Sequence, residues 1–328
     1  MAAQRIITVI GSLNSDLVSV TERVPTGGET LTSKSFHTGA GGKGANQAVA
    51  AARTSRKKGS SPSDSDVQVK FVGAVGADPF GPSLKNGLKE EGIDASRVNV
   101  VENETTGVAV IIVEEATGEN RILVNPGANA TVTPNQFDNV ESLGSPKPDL
   151  IILQLEIPLE TVLKIIKICQ AANIAVLLNP APAVPMPDFV FKGLEHLVVN
   201  ETEAAILSGR SVDEVNASGF DWNTVTDDFI NRGVKNVVVT LGGKGAFSSA
   251  KLGDGTQLPA NKVKVVDTTC AGDTFVGAYA SLFVKTLGQE STWSLKEAVR
   301  KSSKASEITV QRKGAQIAIP WADEVNWS

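Results

Sequence analysis

Short apolar, β-prone segments alternate with helical patterns along most of this chain, and this alternation restricts the possible folds more than any other feature. The segments that predict buried strands are residues 6–10, 69–72, 150–155, 175–179, 196–199 and 236–241. Helical periodicity occurs between them, at residues 45–52, 81–91, 159–172, 201–207 and 225–232. The pattern predicts an α/β fold with a doubly wound, mainly parallel sheet and helices on both faces. Ligands of such sheets bind beyond the carboxyl ends of the strands.

Two inserted stretches, at about residues 13–38 and 105–125, interrupt this alternation. They contain β-prone segments at 16–24, 107–113 and 121–124, the last two joined by a turn at 116–120, and predict a small antiparallel β lid. Residues 108–113 are apolar at every position. Either one face of this strand covers a ligand and the other meets a second copy of the chain, or the strand is an ordinary buried one.

Length, charge and cysteine content limit the class of protein. A chain of 328 residues with 41% hydrophobic content can bury a large core, and we expect one domain over residues 1–328. The net charge of −5 argues against nucleic-acid or membrane-surface partners. No apolar run reaches the length of a membrane span, and two cysteines cannot build a disulfide framework. We therefore expect a cytoplasmic protein, with the nucleus as a further location.

An aspartate follows an Ala-Gly step where an apolar helix begins, in residues 267–275. The free N–H groups of Cys270, Ala271 and Gly272 are expected to cluster at this helix start, where they suit an anion. Asp273 would then be placed to accept a proton from an attacking hydroxyl. The same residue can also be read as a simple helix cap, and this segment alone leaves both interpretations open. Cys270 is expected to act through its backbone; its thiol could become more acidic at the helix start, but nothing requires it to react.

Two glycine-rich loops, at residues 38–46 and 240–246, allow close approach of a ligand to the backbone. Neither is a Walker loop, because each Gly-Lys pair is followed by Gly rather than Ser or Thr. The second loop follows a predicted strand and reaches the same sheet edge as residues 267–275. It is the better nucleotide candidate, and the first loop, near the inserted strands, is assigned to the acceptor substrate.

Four motifs, in the order expected along the chain, resemble those of the ribokinase family of ATP-dependent carbohydrate kinases. The resemblance covers essentially the whole chain. Residues 41–48 and 267–275 are similar to the family's two signatures, residues 200–203 to its Asn-x-x-Glu motif, and residues 11–16 to its sugar-contacting stretch. Further segments are most similar to the ribose-phosphorylating members, at residues 154–157, 179–183 and 312–316. The resemblance implies phosphorylation of D-ribose at its 5-hydroxyl by ATP, giving D-ribose 5-phosphate and ADP.

The resemblance also implies roles for individual residues. Asp273 would be the catalytic base, with the N–H groups of Cys270, Ala271 and Gly272 on the transferring phosphoryl group. The implied D-ribose contacts, besides Asp273, are Asn14, Asp16, Gly42, Lys43, Asn46 and Glu156, with Ala109 and Ile111 on the lid. The implied ATP contacts, besides Ala271 and Gly272, are Asn200, Thr240, Gly242, Gly243, Gly245 and Ser303.

Two metal ions are implied in the same way, and a homodimer through the β lid is expected from the apolar strand at residues 108–113. Glu203 would organise Mg²⁺ mainly through water, which agrees with the reluctance of Mg²⁺ to lose its hydration. An activating K⁺ would lie among Asp267, Thr269, Thr309, Arg312 and Gly314. Members of the family often carry serine where this chain has Ala318, so one side-chain oxygen is missing from the expected K⁺ site. The β lid would form the dimer contact, and the insertion at residues 53–66 is expected to be a solvated loop.

Two other functions remain open from the sequence. One is another sugar or nucleoside kinase of the same family, of the fructokinase or adenosine kinase type. The other is a non-catalytic carbohydrate-binding protein on this fold. Asp273 and the Ala271-Gly272 pair discriminate against the second, because a protein that only binds has no need of a base beside an anion site.

Overall fold

The structure is a computed structural model that describes residues 4–116, 119–289 and 292–328. Its strands are β1 Arg5–Ile10, β2 Asn14–Thr21, β3 Ser35–Gly41, β4 Val67–Gly76, β5 Asp94–Val101, β6 Gly107–Glu114, β7 Asn120–Asn125, β8 Leu150–Leu153, β9 Ala175–Leu178, β10 His196–Asn200, β11 Asn236–Thr240, β12 Ala246–Ser249 and β13 Thr256–Leu258. Its α-helices are α1 Lys43–Thr54, α2 Phe80–Glu90, α3 Leu159–Ala172, α4 Glu201–Ser208, α5 Val212–Asn216, α6 Asn223–Asn231, α7 Ala271–Thr286 and α8 Leu295–Thr309. Among these described helices, none is both long and apolar enough to cross a bilayer.

The main sheet has the strand order β13-β12-β11-β10-β9-β8-β1-β4-β5. Its pairings from β11 to β5 are parallel, and β12 and β13 add two antiparallel strands at one edge. The chain starts at β1 and adds strands first on the β4 side and then on the β8 side, so the winding direction reverses between β1 and β8. A crevice for ligands is expected at this reversal. The prediction of a doubly wound, mainly parallel sheet is confirmed.

Two apolar layers cover the two faces of the main sheet. Successive residues of β8 point to opposite faces: Ile152 packs in the layer that contains α1, α2, α7 and α8, and Ile151 and Leu153 pack in the layer of α3 to α6. All three side chains are fully buried. Each such burial stabilises the fold by about 1.5–3 kcal/mol relative to an exposed side chain. The helices on both faces are thus as predicted.

Helices α1 and α7 pack against each other at unusually short range. A Cβ atom on Gly277 of α7 would lie 2.4 Å from the Cβ of Ala50 and 2.6 Å from the carbonyl oxygen of Gln47, both on α1. No side chain fits in that space, so glycine is required for this approach. The close contact brings the first turn of α7 next to the first turns of α1.

The predicted β lid is present as a second sheet with the strand order β3-β2-β6-β7. Its two outer pairings, β2 with β3 and β6 with β7, are antiparallel, and the central pairing of β2 with β6 is parallel. Strand β3 covers residues 38–41, which the sequence assigned to a glycine-rich loop. The predicted turn at 116–120 lies partly outside the described residues, since 117 and 118 are not among them.

The two faces of the lid differ in their surroundings. The pairing register places Asp16 beside Ala109 and Val124 on one face, and Leu17 beside Val110 and Leu123 on the other. On the first face Ala109 is buried, but Ile122 and Val124 of the edge strand β7 are 51% and 53% exposed; on the second face Val110 and Leu123 are 39% and 72% exposed. The lid therefore has an inner face toward the main sheet and an outer apolar face open to solvent.

Two arginines at the start of the predicted insertion loop are not solvated as expected, whereas most of residues 57–64 are exposed. Arg53 Nη1 donates to the carbonyl oxygens of Gln316 at 2.7 Å and Ile319 at 2.9 Å. Arg53 and Arg56 both lie over the ring of Trp321, with guanidinium carbons 5.3 and 5.2 Å from its centroid. Cation–π contacts of this kind favour burial of the aliphatic stems. These arginines attach the C-terminal segment to the end of α1.

Candidate active site

A cavity of about 240 Å³ opens beyond the carboxyl ends of β9, β10 and β11, beside the start of α7. A doubly wound sheet predicts a ligand site beyond the carboxyl ends of its strands, although this cavity lies beside β9 to β11 and not at the reversal between β1 and β8. Residues assigned to both substrates line it, including Lys43, Asn200, Glu203, Thr240, Gly272 and Asp273. The structure thus brings together segments that are more than 200 residues apart in the sequence.

Asp273 lies in the first turn of α7, as predicted, and both of its carboxylate oxygens accept hydrogen bonds from α1. Asn46 Nδ2 donates to Oδ2 at 3.0 Å, and Gln47 Nε2 donates to Oδ1 at 2.9 Å. Burial raises the pKa of Asp273, and the Lys43 ammonium and the two amide donors oppose that rise. Asp273 does not cap its helix through its own side chain; N-cap Cys270 precedes it. The carboxylate is instead turned toward the cavity and α1.

Asp16 contributes a second carboxyl group, from the inner face of the lid. A Cβ atom on Gly41 would lie 2.2 Å from Asp16 Oδ1, so the carboxyl group lies directly on the backbone of β3. Burial, followed by the charges of Glu156 and Asp273, raises the pKa of Asp16 to about 7. Three carboxyl groups therefore share one region of the site.

Lys43 supplies the positive charge in this region. Burial lowers the pKa of Lys43, but the charges of Asp273, Glu156 and Glu203 outweigh that effect, so the net shift is upward. The ammonium group therefore stays protonated inside the site. A buried cation among carboxylates suits a site that must receive the negative charge of a phosphoryl group.

Glu156 and Asn14 are positioned by residues that the sequence did not assign to the site. The hydroxyl of Ser12 donates to Glu156 Oε2 at 2.5 Å, and the backbone N–H of Lys43 donates to the same oxygen at 2.8 Å. Asn129 Nδ2 donates to Asn14 Oδ1 at 2.8 Å. Ser12 lies inside the motif at residues 11–16 and could have been found there. Asn129 lies in a short turn with no sequence signal.

A second cavity, of about 360 Å³, lies between the lid and the main sheet and is lined by Asn14, Asn129, Val124 and Glu156. Two of these residues, Asn14 and Glu156, were assigned to the sugar. Val124 contributes to the wall from the inner face of the lid. Ala109 and Ile111 lie on that same face by the pairing register, although they do not line this cavity among the described residues.

The start of α7 differs in detail from the expected anion site. Cys270 has φ 66°, a left-handed conformation that costs about 1 kcal/mol for a residue other than glycine. The N–H of Ala271 donates to the carbonyl of Thr268 at 3.3 Å, so it is already engaged. Within the described part of the chain, the N–H groups of Cys270 and Gly272 have no acceptor. These two are the better anion donors.

The thiol of Cys270 is not activated. Burial, followed by the charges of Asp273 and Asp16, raises its pKa well above the ordinary value. A more acidic thiol, which the sequence allowed, is not found because desolvation is stronger here than the field of the helix. The thiol therefore stays protonated.

Asn200 and Glu203 form a complete capping box at the start of α4. Glu203 N–H donates to Asn200 Oδ1 at 2.8 Å, and Asn200 N–H donates to Glu203 Oε2 at 2.9 Å. Both side chains nevertheless line the cavity, so the structural and the functional interpretation hold together. Burial raises the pKa of Glu203, opposed by the Asn200 N–H and the charge of Lys43.

The predicted ATP-binding residues are not all in one place. Thr240 lines the cavity, whereas Gly242, Gly243, Gly245 and Ser303 are not among its lining residues in the described chain. Gly242 and Gly243 face open space, and the Ser303 hydroxyl donates to the carbonyl of Val299 in its own helix at 2.9 Å. The loop after β11 therefore borders the cavity rather than forming its wall.

Comparisons with known proteins identify the family. Residues 4–322 match the model described as pfkB family carbohydrate kinase. The chain belongs to this family. The kinase is 43% identical over 325 residues to a ribokinase of Schizosaccharomyces pombe, covering 98% of this chain and 97% of that one.

Solved structures agree with this assignment. The crystal structure of ribokinase from Thermotoga maritima matches the kinase with a TM-score of 0.81 and 34% identity, covering 98% of this chain and 97% of that one. The structure of Arabidopsis thaliana ribokinase complexed with ribose and ATP matches with a TM-score of 0.82 and 30% identity, covering 98% and 97%. The resemblance to ribokinase-type carbohydrate kinases, inferred from the motifs, is confirmed.

In the kinase, the two segments assigned to K⁺ meet at Asp267. Its Oδ1 accepts from Thr269 N–H and its Oδ2 from Gly314 N–H, both at 2.9 Å. Burial acts to raise the pKa of Asp267, but the hydrogen bonds from Thr269 and Gly314 outweigh it and lower the pKa. Arg312 N–H donates to the carbonyl of Thr309 at 3.0 Å, so that carbonyl has one lone pair left. The Asp267 carboxylate therefore stays charged where the two segments meet.

Proposed function

We propose that this kinase transfers the γ-phosphoryl group of ATP to the 5-hydroxyl of D-ribose, forming D-ribose 5-phosphate and ADP. The observation that carries the proposal is Asp273, a buried carboxylate with both oxygens fixed by amides, next to the free N–H groups of Cys270 and Gly272. A base beside an anion site is what phosphoryl transfer to a hydroxyl requires. The relatives named ribokinases support ribose as the acceptor.

The sugar would bind between the lid and the start of α1. Asp16 and Glu156 would accept hydrogen bonds from ribose hydroxyls, and Lys43 would donate one. Because Asn14 Oδ1 accepts from Asn129, the Nδ2 end of Asn14 is left to donate to the sugar. Gly42, at the start of α1, would let the backbone approach the sugar. Ala109 and Ile111 on the inner lid face would cover it and exclude water, while the remaining contact, Asn46, reaches Asp273.

The chemistry needs one proton transfer and one displacement. Asp273 accepts the proton of the 5-hydroxyl as that oxygen bonds to the γ-phosphorus of ATP, and the bond to the β-phosphate oxygen breaks to release ADP. The N–H groups of Cys270 and Gly272 and the Lys43 ammonium stabilise the charge on the transferring group. Ala271 would join them only after its bond to the Thr268 carbonyl lengthens.

ATP would lie along the cavity, with Asn200 and Thr240 on its wall and Gly242, Gly243, Gly245 and Ser303 toward the adenosine end. Glu203 would hold Mg²⁺ through water: the described residues form no cluster of three metal-ligating side chains, and Mg²⁺ usually keeps several waters beside ATP. When bound, Mg²⁺ supplies charge neutralisation at the phosphates.

A monovalent cation, K⁺, would bind at Asp267 together with oxygen atoms of Thr269, Thr309, Arg312 and Gly314. The meeting of both segments at Asp267 supports this assignment, although Ala318 provides no side-chain oxygen. We also propose a homodimer formed through the outer face of the lid. A cytoplasmic location, with the nucleus as a second compartment, stays a prediction.

A substrate panel with the purified kinase tests this function. Phosphorylation of ribose, 2-deoxyribose, fructose and adenosine would be compared by kcat/KM with ATP as donor. Ribose is expected to be the best acceptor. A clear preference for fructose or adenosine would show that the preferred compound, and not ribose, is the substrate. A protein that binds ribose and phosphorylates none of the four would be the non-catalytic alternative.

The variant Asp273→Asn tests the role of the base. It keeps the shape of the side chain and removes the proton acceptor, so kcat for ribose is expected to fall by roughly 10²–10⁴-fold. The new amide nitrogen would face one of the two amide donors, so some fall in Tm is expected, and a variant that remains folded at the assay temperature shows that the loss of kcat is chemical. Near-normal turnover by this variant would exclude Asp273 as the base.

A further inference from the structure

Gln47 was not assigned to the site, yet it is fully buried and contacts the carboxylate of Asp273 directly. One of its Nε2 hydrogens is donated to Asp273 Oδ1 at 2.9 Å, and the other to Asn179 Oδ1, also at 2.9 Å. Its Oε1 accepts from Gln154 Nε2 at 2.6 Å. The side chain therefore uses both donors and its acceptor, and it bridges three separate segments around the base.

The orientation of this amide is fixed by its neighbours. If the Gln47 amide were rotated by 180°, its oxygen would face the oxygen of Asp273 and its nitrogen would face the nitrogen of Gln154. Asn179 is fixed in turn, because its Nδ2 donates to the carbonyl of Val198 at 2.9 Å. Only one amide orientation satisfies all these partners, so the donor faces the carboxylate before any substrate arrives.

We propose that Gln47 is a positioning residue for phosphoryl transfer: it fixes the rotation of the Asp273 carboxylate so that one oxygen is directed at the acceptor hydroxyl. Asn46 and Gln47 are consecutive residues on α1 and bond to different oxygens of the same carboxylate. Two donors define the plane of the group, whereas one would let it rotate. This inference rests on the proposed role of Asp273 as the base.

The variant Gln47→Met tests the proposal, because methionine fills a similar volume and donates no hydrogen bond. A hydrogen bond to a charged group is stronger than one between neutral groups, so its loss should lower kcat for ribose by about 10–100-fold. The KM for ribose should change much less, because Gln47 is not a predicted sugar contact. A fall in kcat below twofold would overturn the proposal.

The pH profile separates positioning from a general loss of structure. Gln47 favours the carboxylate form of Asp273, so its loss raises the pKa of Asp273 and moves the acid limb of the kcat profile to higher pH. The other groups that face Asp273 stay in place: Lys43 on α1, Glu156 after β8, Asp16 on β2, Glu203 on α4 and the thiol of Cys270. A lower kcat with an unmoved acid limb would contradict the proposal.

Two further variants complete the test. Gln154→Met removes the bond that orients Gln47 and should move the acid limb in the same direction by a smaller amount, even if Gln47→Met does not fold. Thr226→Val is the control, since it removes a buried hydroxyl that donates to the carbonyl of Trp222 at 3.3 Å, far from the site. A folded Gln154→Met with wild-type kinetics would also overturn the proposal. A wild-type kinase that does not phosphorylate ribose would instead reject the proposed function.

Discussion

At the scale of single residues, the carboxyl groups of Asp273 and Asp16 lie in different environments within the site. Asp273 receives two amide donors, whereas the Asp16 side chain accepts no hydrogen bond within the described residues. Both carboxyl groups are desolvated, but only for Asp273 do hydrogen-bond donors offset the cost of burying the charge. This difference explains why burial and neighbouring charges raise the pKa of Asp16 to about 7. Under the proposed function, the hydroxyls of ribose would be the donors that Asp16 lacks.

Ribose binding should therefore depend on pH through Asp16. Hydroxyl donors favour the carboxylate, so the pKa of Asp16 is lower in the complex than its value of about 7 in the free protein. Affinity should rise as the pH increases from 5.5 and level off above about 8. Titration calorimetry without nucleotide measures this directly.

The calorimetric control is Asp16→Asn, which cannot titrate and should bind ribose weakly with little dependence on pH over the same range. Asp213→Asn, at an exposed carboxylate on α5, should keep the wild-type dependence. Equal wild-type affinity at pH 5.5 and 8 would show that Asp16 does not take part.

Sequence patterns predicted Asp273 because it stands at a fixed place in a helix-start motif, and the same motif placed Gly272 in the cavity. They did not predict Gln47, although it lies within residues 41–48. A glutamine on an apolar helix gives no signal of its partners until the fold brings Asp273 to it. The direction of the Cys270 pKa shift was missed for a similar reason, since the depth of burial is a property of the tertiary structure.

At the scale of elements, the start of α7 is fixed by α8 and the segment that follows it. The hydroxyl of Ser306 donates to the carbonyl of Ala271 at 2.9 Å, and the hydroxyls of Thr274 and Thr309 are 3.0 Å apart. Val266 N–H donates to the carbonyl of Val310 at 2.7 Å. A cation bound at Asp267 would add a further link between these segments and order the anion site at the helix start.

Replacing K⁺ with Na⁺ at constant ionic strength should therefore lower kcat. The smaller ion draws its oxygen ligands closer and shifts the loop before α7. A coupled assay in potassium, sodium and choline chloride would measure the effect. In Asp267→Asn the difference between the salts should disappear, while Asp254→Asn, at an exposed loop position, should retain it. If the rate of the wild-type kinase does not depend on the cation, no activating cation binds at Asp267.

Sequence patterns predicted the elements whose side chains are apolar on both faces. They missed elements whose buried face carries small or polar side chains. The strand at Leu150–Leu153 is buried at every position, and its signal was clear. Helix α8 buries Ala298, Val299, Ser302, Ala305 and Thr309 at helical spacing, but most of these side chains are small or polar and were not recognised as an apolar stripe. The edge strands β12 and β13 are short and follow a glycine-rich loop, so they were not predicted.

At the scale of the whole molecule, the lid has an apolar outer face with no cover in the monomer. Phe36, Val110 and Leu123 are 62%, 39% and 72% exposed on that face, by the pairing register. Contiguous exposed apolar side chains are typical of protein interfaces. A second copy of the chain would cover these residues and steady the lid over the sugar.

The dimer is tested by Leu123→Glu, which places a charge on the outer face at the edge strand β7. Sedimentation at micromolar concentration is expected to show a dimer for the wild type and a monomer for the variant. Leu252→Glu, at a leucine that is 56% exposed away from the lid, should remain dimeric. If Leu123→Glu sediments as the wild type does, the contact between copies lies elsewhere.

The division of the site between two sheets has a consequence for how such enzymes diversify. Asp16 belongs to the lid, whereas Asp273 and its amide donors belong to two helices packed on the main sheet, locked together at Gly277. Substitutions on the lid strands can alter which acceptor fits without disturbing the apparatus that moves the phosphoryl group. New substrate preferences can therefore evolve in this architecture by changing one wall, while the reaction itself is inherited intact.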